Sequence, residues 1–216
     1  ILAQHRFVWL LVKKYQDRLP YKVLAAKVNN RVRELSRRLE EPSTVVFLDM
    51  RDISASRIYQ SSVSFIYLKA VNDVLGNVRV GIENSLNKGI YTEVRTHEPL
   101  TAADVSNLQK RMQELVEADI PFIRKRLTRS EAMEAFKCGN HEEKRRMLNR
   151  APHVETVPVY SCDGFLNFFY GQMVPSTGYI RYFELRKYRN GVLLRFPESS
   201  APDRIPEFRD DVKLYR

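Results

Sequence analysis

Between residues 58 and 75 the apolar side chains Val63, Ile66, Tyr67, Ala70 and Val74 fall on one face of a helix. A strand cannot use that spacing, because its side chains alternate with a period of two. A long, half-buried helix therefore runs over 58–75, and the rest of the chain must supply the surface that covers it. The segments on either side read mostly as short strands. Residues 23–28, 31–35 and 44–48 precede it, with Asn29-Asn30 as a turn and Glu41-Pro42-Ser43 as a break; 78–83 and 89–95 follow it. One long helix among short strands is an α+β arrangement.

The remaining elements fit that class. Val8, Trp9, Val12 and Tyr15 mark a first helix over 5–18, ended at Leu19-Pro20 because proline disfavours helix at the residue before it. Thr101 with Asp104 is a capping-box start, and Val105, Leu108, Met112 and Leu115 form the stripe of the helix that follows. Thr128 with Glu131, and Asn140 with Glu143, start two shorter helices. Strands are expected over 157–161, 166–171, 179–188 and 192–196, the last two joined through Asn190-Gly191 with positive φ at both residues. The last 20 residues, with Pro197, Pro202 and Pro206, read as an extended tail.

The functional classes are narrowed mainly by what is missing. No apolar run reaches the roughly 20 residues of a membrane span, and no signal peptide is read at the start, so a cytoplasmic protein is expected. A chain opening on Ile1 rather than Met reads as a trimmed fragment. Cys138 and Cys162 make neither a disulfide framework nor a thiolate zinc site. The histidines His5, His97, His141 and His153 never fall at helical pair spacing, so no metal site is expected. There is no phosphate-cradling P-loop, and the 8 glycines form no glycine-rich loop. A Cys162–His153 nucleophile pair lacks a third, orienting group. The net charge of +10 is compatible with a polyanion such as RNA and equally with a merely basic surface. Phe165-Leu166-Asn167-Phe168-Phe169-Tyr170 reads either as a stacking platform or as a buried strand. Pro175-Ser176-Thr177-Gly178 offers two hydroxyls that can hold a phosphate or close a turn.

At this turn the chain resembles a known family. Val174-Pro-Ser-Thr-Gly-Tyr-Ile-x-x-Phe-x-Leu185 is similar to the segment closing the editing domain of threonyl-tRNA synthetases, which alanyl-tRNA synthetases share. The similarity extends through Gly81-Ile-Glu-Asn-Ser-Leu-Asn-Lys-Gly-Ile-Tyr91, Leu100-Thr-x-x-Asp104, Ala118-Asp-Ile-Pro-Phe122 and Glu131-Ala-Met-Glu-Ala-Phe136. Ala25-Ala-Lys-Val-Asn-Asn30 and Val46-Phe-Leu-Asp49 resemble a TGS domain, a β-grasp module. The resemblance implies a β-grasp-like module over 1–53 with its opening hairpin missing. An editing-like α+β domain, with an antiparallel sheet and a long central helix, would follow over 54–196, then a tail over 197–216.

Departures from the family bear on activity. The synthetases carry an H-x-x-x-H pair and a C-x-x-x-H pair; laid on this chain, these fall at Ser61 and Phe65, and at Phe169 and Met173. Phenylalanine neither binds a metal nor moves a proton. Lys144 falls near a lysine of the synthetase pocket, and Asn167 replaces its acidic residue. An intact scaffold with these replacements is similar to the N-terminal half of bacterial uridine-kinase-like proteins. That implies a parent phosphorylating uridine or a like acceptor with ATP and magnesium. The C-terminal kinase domain would be a partner, and the present segment would hold no cofactor of its own.

Three readings follow. The first is a non-catalytic module whose degenerate cleft, bounded by Ser61, Phe65, Phe169, Met173, Lys144 and Asn167, holds a nucleoside or a tRNA 3′ end. Lys88, Arg145, Arg146, Ser176, Thr177 and Arg181 would contact phosphate. The second is residual ester hydrolysis using Ser61, Ser64 or Lys144. The third is a scaffold that folds against, or dimerises, the kinase.

Overall fold

The structure, a computed structural model, describes residues 2–3, 7–86, 89–138, 142–169 and 171–208. Lys88, His5, His141 and Tyr170 lie outside the described residues, as does Asn140 with its predicted cap. The fold is α+β, as the sequence indicates: three antiparallel sheets and five helices are described.

The first sheet has the order β1-β4-β2-β3, from β1 (Leu2–Ala3), β2 (Ala25–Val28), β3 (Arg31–Arg33) and β4 (Ser43–Leu48). Asn29 and Asn30 both take positive φ, 47° and 62°, which matches the twist a two-residue hairpin requires. The Asn29 side chain also accepts from the Thr44 N–H at 2.9 Å, tying the turn to β4. Helix α1 (Val8–Tyr15) lays Val8, Leu11 and Val12 against Val23, Ala26, Leu35, Leu39 and Val45. Trp9, expected on that face, is instead 44% exposed, because Leu11 takes the inward position.

Helix α2 (Ile53–Leu75) begins five residues before the periodic stretch, at Asp52, whose carboxylate accepts from the Ser54 and Ala55 N–H groups. It is buried on most of its circumference, with Val63, Phe65, Ile66, Tyr67 and Ala70 all inaccessible. A helix buried all round packs against several layers at once. Val71 rather than Val74 completes the inner face; Val74 is 38% exposed.

The second sheet has the order β10-β11-β6-β5, from β5 (Arg79–Leu86), β6 (Gly89–Arg95), β10 (Glu184–Tyr188) and β11 (Gly191–Arg195). Helix α3 (Ala102–Glu117) starts with the full capping box of Thr101 and Asp104 and packs beside α2 and β10. The Tyr67 and Thr92 hydroxyls meet at 2.8 Å and join α2 to β6. The β10–β11 loop is Arg189-Asn190, with positive φ at Arg189, rather than Asn190-Gly191. Gly191 is in the strand, where a Cβ would lie 2.2 Å from the Thr92 carbonyl oxygen, so close approach and not turn geometry requires glycine.

The third sheet, β7-β8-β9, consists of β7 (Ile123–Thr128), β8 (Thr156–Cys162) and β9 (Phe165–Phe168), with α4 (Arg129–Cys138) and α5 (Glu142–Asn149) against it. The Thr128–Glu131 cap of α4 forms as read, the Glu131 carboxylate accepting from the Thr128 N–H at 2.7 Å. Strand β7 was not expected. Conversely, 179–188 is not one strand: residues 177–179 form a 3-10 turn and pairing starts at Glu184. The Tyr59 hydroxyl explains the gap, since it donates to the Tyr182 carbonyl at 2.8 Å and accepts from the Tyr182 N–H at 3.0 Å. The segment after β11 turns back: Arg195 donates to the Pro206 carbonyl, and Phe208 meets the ring of Tyr188 at 6.3 Å.

Candidate functional site

Helix α2 carries the candidate residues on successive turns, and β8, β9, Phe169 and the segment 171–177 bring the others to it. Phe65 has no exposed surface and stands at the centre of an aromatic cluster. Its ring centroid is 5.5 Å from that of Phe122, 5.4 Å from Phe165 and 5.6 Å from Phe169, two of these contacts edge to face. Met173, 1% exposed, closes the same cluster with Tyr160 and Cys162. Ser62 holds it in place. Its hydroxyl donates to the Ile58 carbonyl at 2.8 Å and accepts from the Val174 N–H at 3.0 Å, with the Met173 sulfur 3.5 Å away. Ser61, half-buried, faces Gly171.

Glu34, just past β3, fixes this segment from the other side. Its carboxylate accepts from the Met173 N–H at 2.9 Å and from the Tyr160 hydroxyl, while Gln172 donates to the Val32 carbonyl at 2.9 Å. Burial, with the Glu34 carboxylate beside it, raises the Tyr160 phenol above its ordinary value. Cys162 is pushed up to about 11 by burial, so its thiol stays protonated near neutrality and is a poor nucleophile. His153 is exposed, so the two do not form a buried pair.

Open space lies beside this cluster. A cavity of about 510 Å³ is bounded by Leu68 and Asn72 of α2, Val80 of β5, Lys144 of α5, and Asn167 and Phe169. Lys144, Asn167 and Phe169 are therefore brought together, whereas Ser61, Phe65 and Met173 are not among its lining residues. The Lys144 ammonium sits 5.4 Å from the centre of the Phe136 ring, and burial pulls its pKa down to about 8. It has no carboxylate partner among the described residues. Glu142, at the cavity edge, is engaged by Arg145 at 2.7 Å and by Arg146 at 3.7 Å. Among the described residues no three His, Cys, Asp or Glu side chains come together as a metal-ligand set. No described helix is long and apolar enough to cross a membrane.

The Pro-Ser-Thr-Gly segment is a closed turn. Thr177 is fully buried, its hydroxyl donating to the Leu115 carbonyl and accepting from the Ile120 N–H, and Ser176 donates to Asp119. Asp119 also accepts from the Gly178 N–H at 3.1 Å. Thr177 thus has no surface for a ligand, and Arg181 is exposed away from the Lys144 cavity. Sequence reading passed over Arg124-Lys125-Arg126, which form the exposed edge strand β7; three successive cations were the available signal.

No protein-family model matches the chain. It is similar to threonyl-tRNA ligases, as its motifs suggested. It is 29% identical over 174 residues to the threonine–tRNA ligase of Symbiobacterium thermophilum, covering 81% of this chain and 27% of that protein. It is 29% identical over 167 residues to threonine–tRNA ligase 1 of Bacillus subtilis, covering 77% and 26%. With the Desulforamulus reducens ligase the figures are 26% over 175 residues, 81% and 28%. The chain thus spans about a quarter of the length of the curated relatives it matches.

Proposed function

We propose that this chain is a non-catalytic, editing-like binding module that holds a nucleoside or the 3′ end of a tRNA in the cavity beside α2. The packed cluster of Phe65, Phe169 and Met173 carries this reading, since these stand at three of the four positions where the resemblance places activating residues of the synthetases. Hydrolysis of an ester needs a group to activate water. Two aromatic rings and a thioether, closed in on one another, supply none. The neighbouring cavity keeps what binding requires: apolar walls, Asn167 and Asn72 as amide partners, and Lys144 as an uncompensated cation. Exposed Arg124, Lys125, Arg126 and Arg146 add a basic surface for phosphates.

The larger setting we propose is the N-terminal, TGS-like and editing-like half of a uridine-kinase-like protein. Its kinase domain would use ATP and magnesium to phosphorylate uridine or a similar acceptor. The motif resemblance supports this setting, with 1–53 as the β-grasp-like unit and 54–196 as the editing-like domain.

Titration of the protein with a labelled tRNA acceptor-stem minihelix at several salt concentrations tests the binding reading. Micromolar binding that falls steeply with salt and weakens in Lys144→Met is expected. Absence of binding at low salt, to the minihelix and to nucleosides alike, would overturn it. Release of the amino acid from an aminoacylated minihelix, above background, would restore the hydrolase reading.

A further inference from the structure

A second, smaller cavity of about 220 Å³ opens where the segment before β2 meets residues 179–182. It shares no lining residue with the Lys144 cavity, so its fate is independent of the function proposed above. Its floor is apolar and buried, formed by Leu24 and Met50. Its walls are tyrosines, and its charges are mostly of one sign.

Four tyrosines line it: Tyr21, Tyr59, Tyr179 and Tyr182. Tyr59 is buried and spends its hydroxyl on the Tyr182 backbone, which fixes that backbone while leaving the Tyr182 side chain 40% exposed. The Tyr21 ring is backed by the Arg51 guanidinium at 5.0 Å. The Lys22 ammonium stands over the Tyr179 ring at 3.9 Å from its centre. Such a ring orders the ammonium but leaves its hydrogen-bond donors open.

Lys22 and Arg181 line the same hollow, and among the described residues neither has a carboxylate within ion-pair distance. Burial first, and then the charge of Arg181, lowers the Lys22 pKa, with Asp119 acting in the opposite direction. Asp119 is itself committed to Ser176 and Gly178. The one carboxylate on the lining is the exposed Asp203. Two like charges held near each other on a half-buried wall are the arrangement that a multiply charged anion compensates. Tyrosine faces beside them offer area for a planar ring, a pairing used wherever bases are bound without sequence readout.

We propose that this hollow is a nucleotide site, taking one phosphate between Lys22 and Arg181 and the attached base against the ring of Tyr21 or Tyr182. A duplex is too wide for a hollow of this size, so the occupant is a free mononucleotide or one unpaired nucleotide of an RNA strand.

Calorimetric titration with AMP, adenosine, inorganic phosphate and a short single-stranded RNA separates the possibilities. AMP is expected to bind at least about tenfold more tightly than either adenosine or phosphate, because only AMP fills both halves of the site. Lys22→Met with Arg181→Met should abolish that advantage, with the fold checked by circular dichroism. Tyr182→Ala should weaken AMP while leaving phosphate unchanged. If the RNA binds much more tightly than AMP and loses that affinity in the same double variant, the source is a strand; comparable affinities identify a mononucleotide. AMP binding that is absent, or undiminished in the double variant, overturns the site.

Discussion

The two sides of helix α2 differ in a way that its sequence does not advertise. Around Phe65 the space is filled by rings in contact, with Met173 and Cys162 sealing the cluster. Around Leu68 and Asn72, one to two turns further along, the same helix borders an open cavity with amides and a lysine on its wall. Phe169 takes part in both. The difference separates two properties that an active site normally combines. Positions at which the resemblance places activating groups are packed into core, while open space lies beside them. Replacing polar groups by apolar ones of suitable shape adds burial and removes groups that need partners.

Breaking the packed side should have the largest effect. Phe65→Ala removes a fully buried ring in contact with three others and is expected to cost about 3–5 kcal/mol in chemical denaturation. A loss below about 1 kcal/mol would mean that the cluster is loosely packed, and the contrast with the open side would fail. Glu34→Ala comes next. It strips the Met173 N–H of its acceptor and the Tyr160 hydroxyl of one of two partners, the Gly171 carbonyl at 3.2 Å remaining. The expected cost is about 1–3 kcal/mol. Faster hydrogen exchange at Met173 and Val174 should accompany it.

The packed side was more legible in the sequence than the open one, for physical reasons. Core positions announce themselves by periodicity, as Val63, Ile66 and Tyr67 did, and caps by residue type, as Thr101 and Asp104 did. Asn29-Asn30 also declared its turn, because few residues tolerate positive φ. Strand β7 was hidden: Ile-Arg-Lys-Arg-Leu-Thr does not alternate, and only its pairing with β8 makes it a strand. The 179–188 segment misled in the opposite sense, since its pattern suits a strand while a side chain, Tyr59, takes the backbone groups of Tyr182. The cavity had no local signature at all. Lys144 sits on a helix dominated by charge, and its burial comes from how α5 docks over Phe136. Likewise the Ser61–Phe65 and Phe169–Met173 spacings carry no sign of the open space beside them.

The smallest effect tests the open side, through the charge of Lys144. Burial lowers its folded-state pKa to about 8 from the ordinary 10.5. Below the folded value both states hold the proton, and the folded state bears the whole cost of a desolvated cation. Between the two values the folded protein has lost the proton while the unfolded chain still holds it, so stability rises with pH across that window. Lys144→Met removes the titrating group. The variant should therefore be more stable than the parent near neutrality, by about 1 kcal/mol or more after solvent screening is discounted, and the gap should close between about pH 8 and 10.5. Denaturation curves for the pair across that range isolate the effect, since other titrating groups cancel in the difference. A gap that stays constant with pH would show Lys144 to be solvated, and the cavity wall would then lack the uncompensated charge on which the proposed anion recognition depends.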